Sequence, residues 1–283
     1  MTPLVTLAVL LAAVTHASWN AMAKSVKDQL LSFTLISGGG ALIGAAAACF
    51  APLPAAGARP YLITSALLHI AYYALLMRSF TLGDFGQMYP IARGTAPLVV
   101  TALAAVFVHE LPGGWQLLGV AVACAGLTGL ALWGIRGGES RPHWPALLAA
   151  GATGLSIALY TVVDGVGVRA SGTPLGYIGW LMVLEGLAIP AYALWTRRTA
   201  LLPQLRPHAA RGLLGATLSV AAYALVLWAQ TKAPLAPIAA LRESSIIVGA
   251  AIGAVFFKER FGAPRIAAAG LMVVGIGLML RAG

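Results

Sequence analysis

The chain has 283 residues, 60% hydrophobic and only 9% charged, with a mean hydropathy of +0.88. Soluble globular chains carry about 25% charged residues, so this composition cannot cover the surface of a soluble fold. The net charge of +10 does not point to nucleic acid. Most basic residues stand singly or in small groups between apolar segments, where lipid headgroups account for them.

Taken in order, windows of about 19 residues mark apolar runs near 3–23, 30–50, 61–80, 86–108, 114–135, 145–166, 174–196, 212–231, 235–257 and 264–281. Each is about long enough to cross ~30 Å of hydrocarbon as an α-helix. The runs predict an all-α polytopic membrane protein with ten transmembrane helices. The first is read as a helix, although Ala21-Met22-Ala23 resembles a leader cleavage site, because no Lys or Arg precedes it and it outruns a signal core. The longest connection, Thr196 to Arg211, carries Pro203 and Pro207. Cys49 and Cys124 lie in apolar runs without metal-type spacing and read as small packing residues. No metal site or cofactor is expected.

The chain repeats itself. With a shift of 149 positions, the stretch 93–110 matches 242–259 at Arg93/Arg242, Val99/Val248, Ala102/Ala251, Ala105/Ala254, Val106/Val255, Phe107/Phe256 and Glu110/Glu259. Apolar matches carry little weight. An arginine inside a membrane span costs roughly 2.5–3.5 kcal/mol on insertion scales, so its return at one register marks a duplication with a function. The shift spans five predicted helices, an odd number, which turns the second copy upside down in the membrane. Two inverted five-helix repeats, residues 1–138 and 139–283, are the expected domains, with a solute site near the midplane between them.

Candidate site residues follow from polar groups within apolar runs. His16 and Asn20 stand four apart on one helix face, as do His69 and Tyr73. Tyr89 precedes Arg93 by four, and Ser245 follows Arg242 by three. Tyr160 and Tyr223 complete the substrate-binding candidates. Two explanations are open for the arginines. One is a structural pair with Asp164, Glu185 or Glu243; the other is a shared chamber in which both arginines hold a carboxylate, phosphate or phosphonate group. Pro90, Pro97, Pro234 and Pro237 bracket the arginines and predict bent or partly unwound helices. Glu185, near mid-bilayer by helical rise, is the proton-coupling candidate, with Asp164 second and closer to the headgroup level.

Several pieces are family-like: Phe107-Val108-His109-Glu110-Leu111 with Gly119 and Gly126, and Phe257-Lys258-Glu259-Arg260-Phe261 with Gly270 and Gly275. With the polar first helix His16-Ala17-Ser18-Trp19-Asn20 and its counterpart Ala158-Leu159-Tyr160-Thr161, they resemble the EamA-type members of the drug/metabolite transporter superfamily. The resemblance covers essentially the whole chain and implies ten helices in two inverted halves, with cytoplasmic termini. Charge points the other way. Twelve Lys and Arg fall on one side, against Arg59, Arg169, Lys232 and Arg281 on the other, which places both termini outside by the positive-inside rule. Orientation is left between these two signals.

The function expected is secondary transport, by alternating access, of a small anionic or zwitterionic metabolite such as an amino acid, organic acid or phosphonate-like compound. The expected location is the plasma membrane, as a multi-pass protein of a bacterial inner membrane. The partners are the solute, the bilayer and a proton as candidate coupling ion, with no nucleic acid and the oligomeric state open. The alternative is a passive channel, or an intramembrane scaffold or enzyme with no transport cycle. Neither His-Glu-x-x-His nor Gly-x-Ser-x-Gly occurs, so the chain is not read as an enzyme.

Overall fold

A computed structural model describes residues 1–83, 85–94, 96–136, 144–256 and 263–281. The expected acidic turn around Glu259, with Lys258 and Arg260, and the boundary at 138/139 lie outside the described residues. Everything regular is helical: α1 (Pro3–Ser25), α2 (Gln29–Cys49), α3 (Arg59–Leu82), α4 (Phe85–Gly94), α5 (Ala96–Leu103), α6 (Gly114–Arg136), α7 (Trp144–Ala170), α8 (Pro174–Gly186), α9 (Ala188–Arg197), α10 (Leu201–Leu205), α11 (Ala209–Gln230), α12 (Leu235–Arg242), α13 (Ser245–Phe256) and α14 (Ala263–Arg281).

The helices are inside out by the standard of a soluble protein. On α1 the stripe Leu4, Leu7, Leu11 and Val14 is exposed, whereas His16 and Asn20 are buried. In water this arrangement would waste the apolar face; in lipid it is the favourable one. Among the described residues, seven helical stretches are long and apolar enough to cross a membrane. The protein is therefore an all-α, multi-pass membrane protein.

Local chemistry sets the ends. Thr2, Asp28 and Thr173 cap α1, α2 and α8 by accepting backbone N–H groups, and Pro3 and Pro174 open the first turns of α1 and α8. α8 gives way to α9 at Leu187, because Pro190 has no N–H to offer Gly186. Pro97 and Pro237 sit in the first turns of α5 and α12. The break between α12 and α13 falls beyond them, at Glu243 and Ser244, which bond back three residues to Ala240 and Leu241. α5 runs into a wider π-type turn, Ala104–Val108, and ends at His109, whose φ of 57° is left-handed.

Packing is paired. The most extensive helix contacts are α1 on α11, α3 on α7, α2 on α8 and α6 on α14. A lysine or arginine also does the same job twice. Lys24, ending α1, donates to the Phe80 and Gly83 carbonyls at 2.5 and 2.7 Å, closing α3. Arg169, ending α7, donates to the Gln230 and Ala233 carbonyls at 2.7 and 3.0 Å, closing α11. Glycines let the pairs approach. Where α2 crosses α8, a Cβ at Gly44 would stand 2.7 Å from the Gly179 carbonyl, and one at Gly179 would stand 2.9 Å from the Gly44 carbonyl.

Gly179→Leu should therefore lower the melting temperature of purified protein by roughly 2–10 °C, the effect of an overpacked crossing. Gly151→Ala, where a Cβ meets nothing within 4 Å, should leave it unchanged.

Candidate functional site

Much of the polar interior gathers around a cavity between α1 and α3 on one side and α7, α8, α11 and α12 on the other. His16 and Trp19 of α1 and His69, Tyr72 and Tyr73 of α3 form one side of it. Tyr160 of α7, Met182 and Glu185 of α8, Ser219 and Tyr223 of α11 and Arg242 of α12 form the other. The void totals about 300 Å³, but only about 20 Å³ can take the centre of a water molecule. That is room for one water, so the chamber is closed down around aromatic rings.

Those rings are ordered against each other. His69 stacks on Tyr160 with centroids 3.9 Å apart and meets Tyr223 edge-on at 5.1 Å. Trp19 donates its indole N–H to His16 Nδ1 at 3.3 Å and packs edge-on against Tyr73. Asn20 donates to the His16 carbonyl at 2.9 Å, and its own Oδ1 is buried with no hydrogen-bond partner among the described residues.

The two arginines of the repeat have different surroundings. Arg93, 2% exposed, is held by Glu243 through a bidentate pair, Nε to Oε2 at 3.0 Å and Nη2 to Oε1 at 2.7 Å. Its remaining Nη1 lies 3.5 Å from His16 Nε2. Arg93 is absent from the cavity wall. Arg242 is 4% exposed and lines the cavity, yet it makes no hydrogen bond or ion pair with any described residue. Glu185 lines the same cavity. Its Oε2 is 3.3 Å from His69 Nδ1 without an aligned hydrogen bond, because that ring nitrogen points to Ser65.

Residues 144–281 match the model of the EamA-like transporter family. An EamA-type transporter domain is thus detected over this part of the chain. The whole chain is similar in fold to a solved structure described as "Crystal structure of protein", at 18% identity and a TM-score of 0.71, with 97% of this chain aligned to 94% of that one. No curated protein matches the sequence.

The EamA-type domain thus supplies Tyr160, Glu185, Tyr223 and Arg242 to the cavity, and the first half supplies His16, His69 and Tyr73. Asn20, Tyr89, Arg93 and Ser245 are buried outside its wall, with Tyr89 beside His16 and Ser245 at the start of α13. Asp164 is fully buried and accepts hydrogen bonds from Tyr177 Oη at 2.8 Å and from Tyr223 Oη. Trp19, Tyr72, Met182 and Ser219 were missing from the sequence candidates. Ser219 stands four before Tyr223 and Met182 three before Glu185, so helical spacing from the named residues was the available signal. Among the described residues no group of three or more His, Cys, Asp or Glu could hold a metal.

Ion pairs tie helices together at both ends. Glu110 of the first half takes Arg169 Nη1 at 2.5 Å and the Leu235 N–H at 2.8 Å, so it also caps α12. Asp28, already the cap of α2, takes Arg197 Nη2 at 2.6 Å. The far end of α2 is tied to the Arg169 end by Ala55 N–H to the Ser171 carbonyl. α2 itself is roughly 30 Å long, so the two pairs lie at opposite ends of the bundle.

Asp164→Ala should destabilise the protein by about 2–5 kcal/mol, since two buried tyrosine hydroxyls lose their acceptor, whereas Asp164→Asn keeps an acceptor and should cost less. Denaturant or thermal unfolding of the detergent-solubilised variants measures the difference.

Proposed function

We propose that the chain is a secondary transporter that carries a small anionic or zwitterionic metabolite through the central cavity by alternating access. The observation that carries this reading is Arg242, a guanidinium on a cavity wall with no protein partner among the described residues. An arginine held away from water and left unpaired is costly, and a ligand carboxylate or phosphate would satisfy it bidentately. Glu185 on the same cavity offers the opposite charge, which suits the ammonium of a zwitterion or a coupling proton.

The whole-chain architecture proposed is ten spans in two inverted repeats, residues 1–138 and 139–283. Three observations support it. The 57-residue helical stretch Pro174–Gln230 is too long for one crossing and contains both α8–α9 and α11. Gly114–Gly126 and Ala267–Met279 add two shorter apolar helices. The pairing of α1 with α11 and of α3 with α7 is what a two-fold exchange of first and third helices would give, as are the matching Lys24 and Arg169 clamps. The family match begins at α7 and ends at α14, the second proposed repeat. Helical spans bearing a basic side suit a plasma membrane, here a bacterial inner membrane.

A thermal-shift series on purified protein tests the site. Pyruvate or L-alanine should raise the melting temperature, methylammonium should not, and Arg242→Met should abolish the shift. Equal shifts in wild type and Arg242→Met, or no shift with either carboxylate, contradict the reading. In proteoliposomes Glu185→Gln should remove the response of uptake to an imposed pH gradient; an unchanged response removes Glu185 from coupling.

A further inference from the structure

The repeat delivers two arginines at one register, but the residues that follow them differ: Arg93 is followed by Gly94 and Arg242 by Glu243. The second copy therefore places a carboxylate directly beside the arginine that lines the cavity. Left alone, Glu243 would be a competing anion next in sequence to Arg242, and both are buried, at 2% and 4% exposure. It is not left alone. Arg93 reaches across from α4 and occupies both of its oxygens.

We infer that Arg93 is a positioning residue whose role is to sequester Glu243, so that the guanidinium of Arg242 stays available to the transported anion. This rests on the reading of Arg242 as the anion site. The two arginines then have divided tasks: one neutralises the local acid, the other meets the solute. The helix break makes the division possible. Glu243 lies in the turn between α12 and α13, where bonds run three residues back, so its side chain can leave the face that Arg242 presents to the cavity. Without Arg93, Glu243 is free to turn toward Arg242. Wherever it points, it sets an uncompensated negative charge beside the anion site.

The inference predicts an asymmetry between the two partners of a single ion pair. With pyruvate and L-alanine as probes, binding to detergent-purified protein is measured by titration calorimetry. Arg93→Met should weaken binding by about tenfold or more, the scale of a lost charge-assisted bond. Glu243→Gln should keep binding, since the competing carboxylate is gone, and the Arg93→Met/Glu243→Gln double variant should recover it. Arg93→Lys should stay near wild type. Gel filtration and melting temperature identify any variant that fails to fold; if Arg93→Met does, the comparison of Glu243→Gln and the double variant with wild type decides. Equal loss in Arg93→Met and Glu243→Gln, or loss in a folded double variant, shows that the pair only holds shape and overturns the inference. If Arg242→Met binds the probes as wild type does, or wild type binds neither, the anion-site reading itself fails.

Discussion

A bidentate ion pair between α4 and the α12–α13 turn is the constraint on which the interior depends. Arg93 and Glu243 are both withdrawn from water and from lipid, and neither charge could be tolerated there singly. Breaking such a buried pair typically costs about 3–5 kcal/mol, because the surviving charge is left uncompensated. The pair therefore fixes α4 of the first half against the helix break of the second. It also determines what the break exposes: Arg242, the last residue of α12, faces the cavity.

The remaining polar groups are organised to keep that cavity polar and nearly closed. Asp164 is held by Tyr177 and Tyr223, and Tyr223 in turn faces His69, which stacks on Tyr160. His16 is fixed by Trp19 from the same helix. Each aromatic ring brings apolar area and most bring a polar tip, so the wall can face lipid-like packing on one side and a solute on the other. The ion pairs at Glu110–Arg169 and Asp28–Arg197 are more exposed than the central pair. Exposure makes such pairs weak.

Much of this was legible in the sequence, for physical reasons. Polar residues in apolar runs have few places to go except inward, so His16, His69, Glu185 and Arg242 could be named as candidate lining groups and stand on the cavity wall. What was not legible was the pairing. Asp164, Glu185 and Glu243 were equal candidates for the arginines, because spacing along a helix does not say which helix lies opposite. Only the packing of α4 against α13 selects Glu243. The prolines predicted an interruption near Arg242 but not its place: Pro234 and Pro237 open α12, and the break falls beyond them at Glu243–Ser244. The enclosure of Asp164 by tyrosines from α8 and α11 was not legible either, for the same reason.

The most direct measurement is arginine side-chain NMR of ¹⁵N-labelled protein in nanodiscs, with Arg93 and Arg242 assigned by substitution. The Arg93 Nε–H should be protected from exchange and unmoved when L-alanine is added, while the Arg242 guanidinium resonances shift and sharpen. Resonances of Arg93 that move with the ligand while those of Arg242 stay fixed would contradict the division of labour between the two arginines.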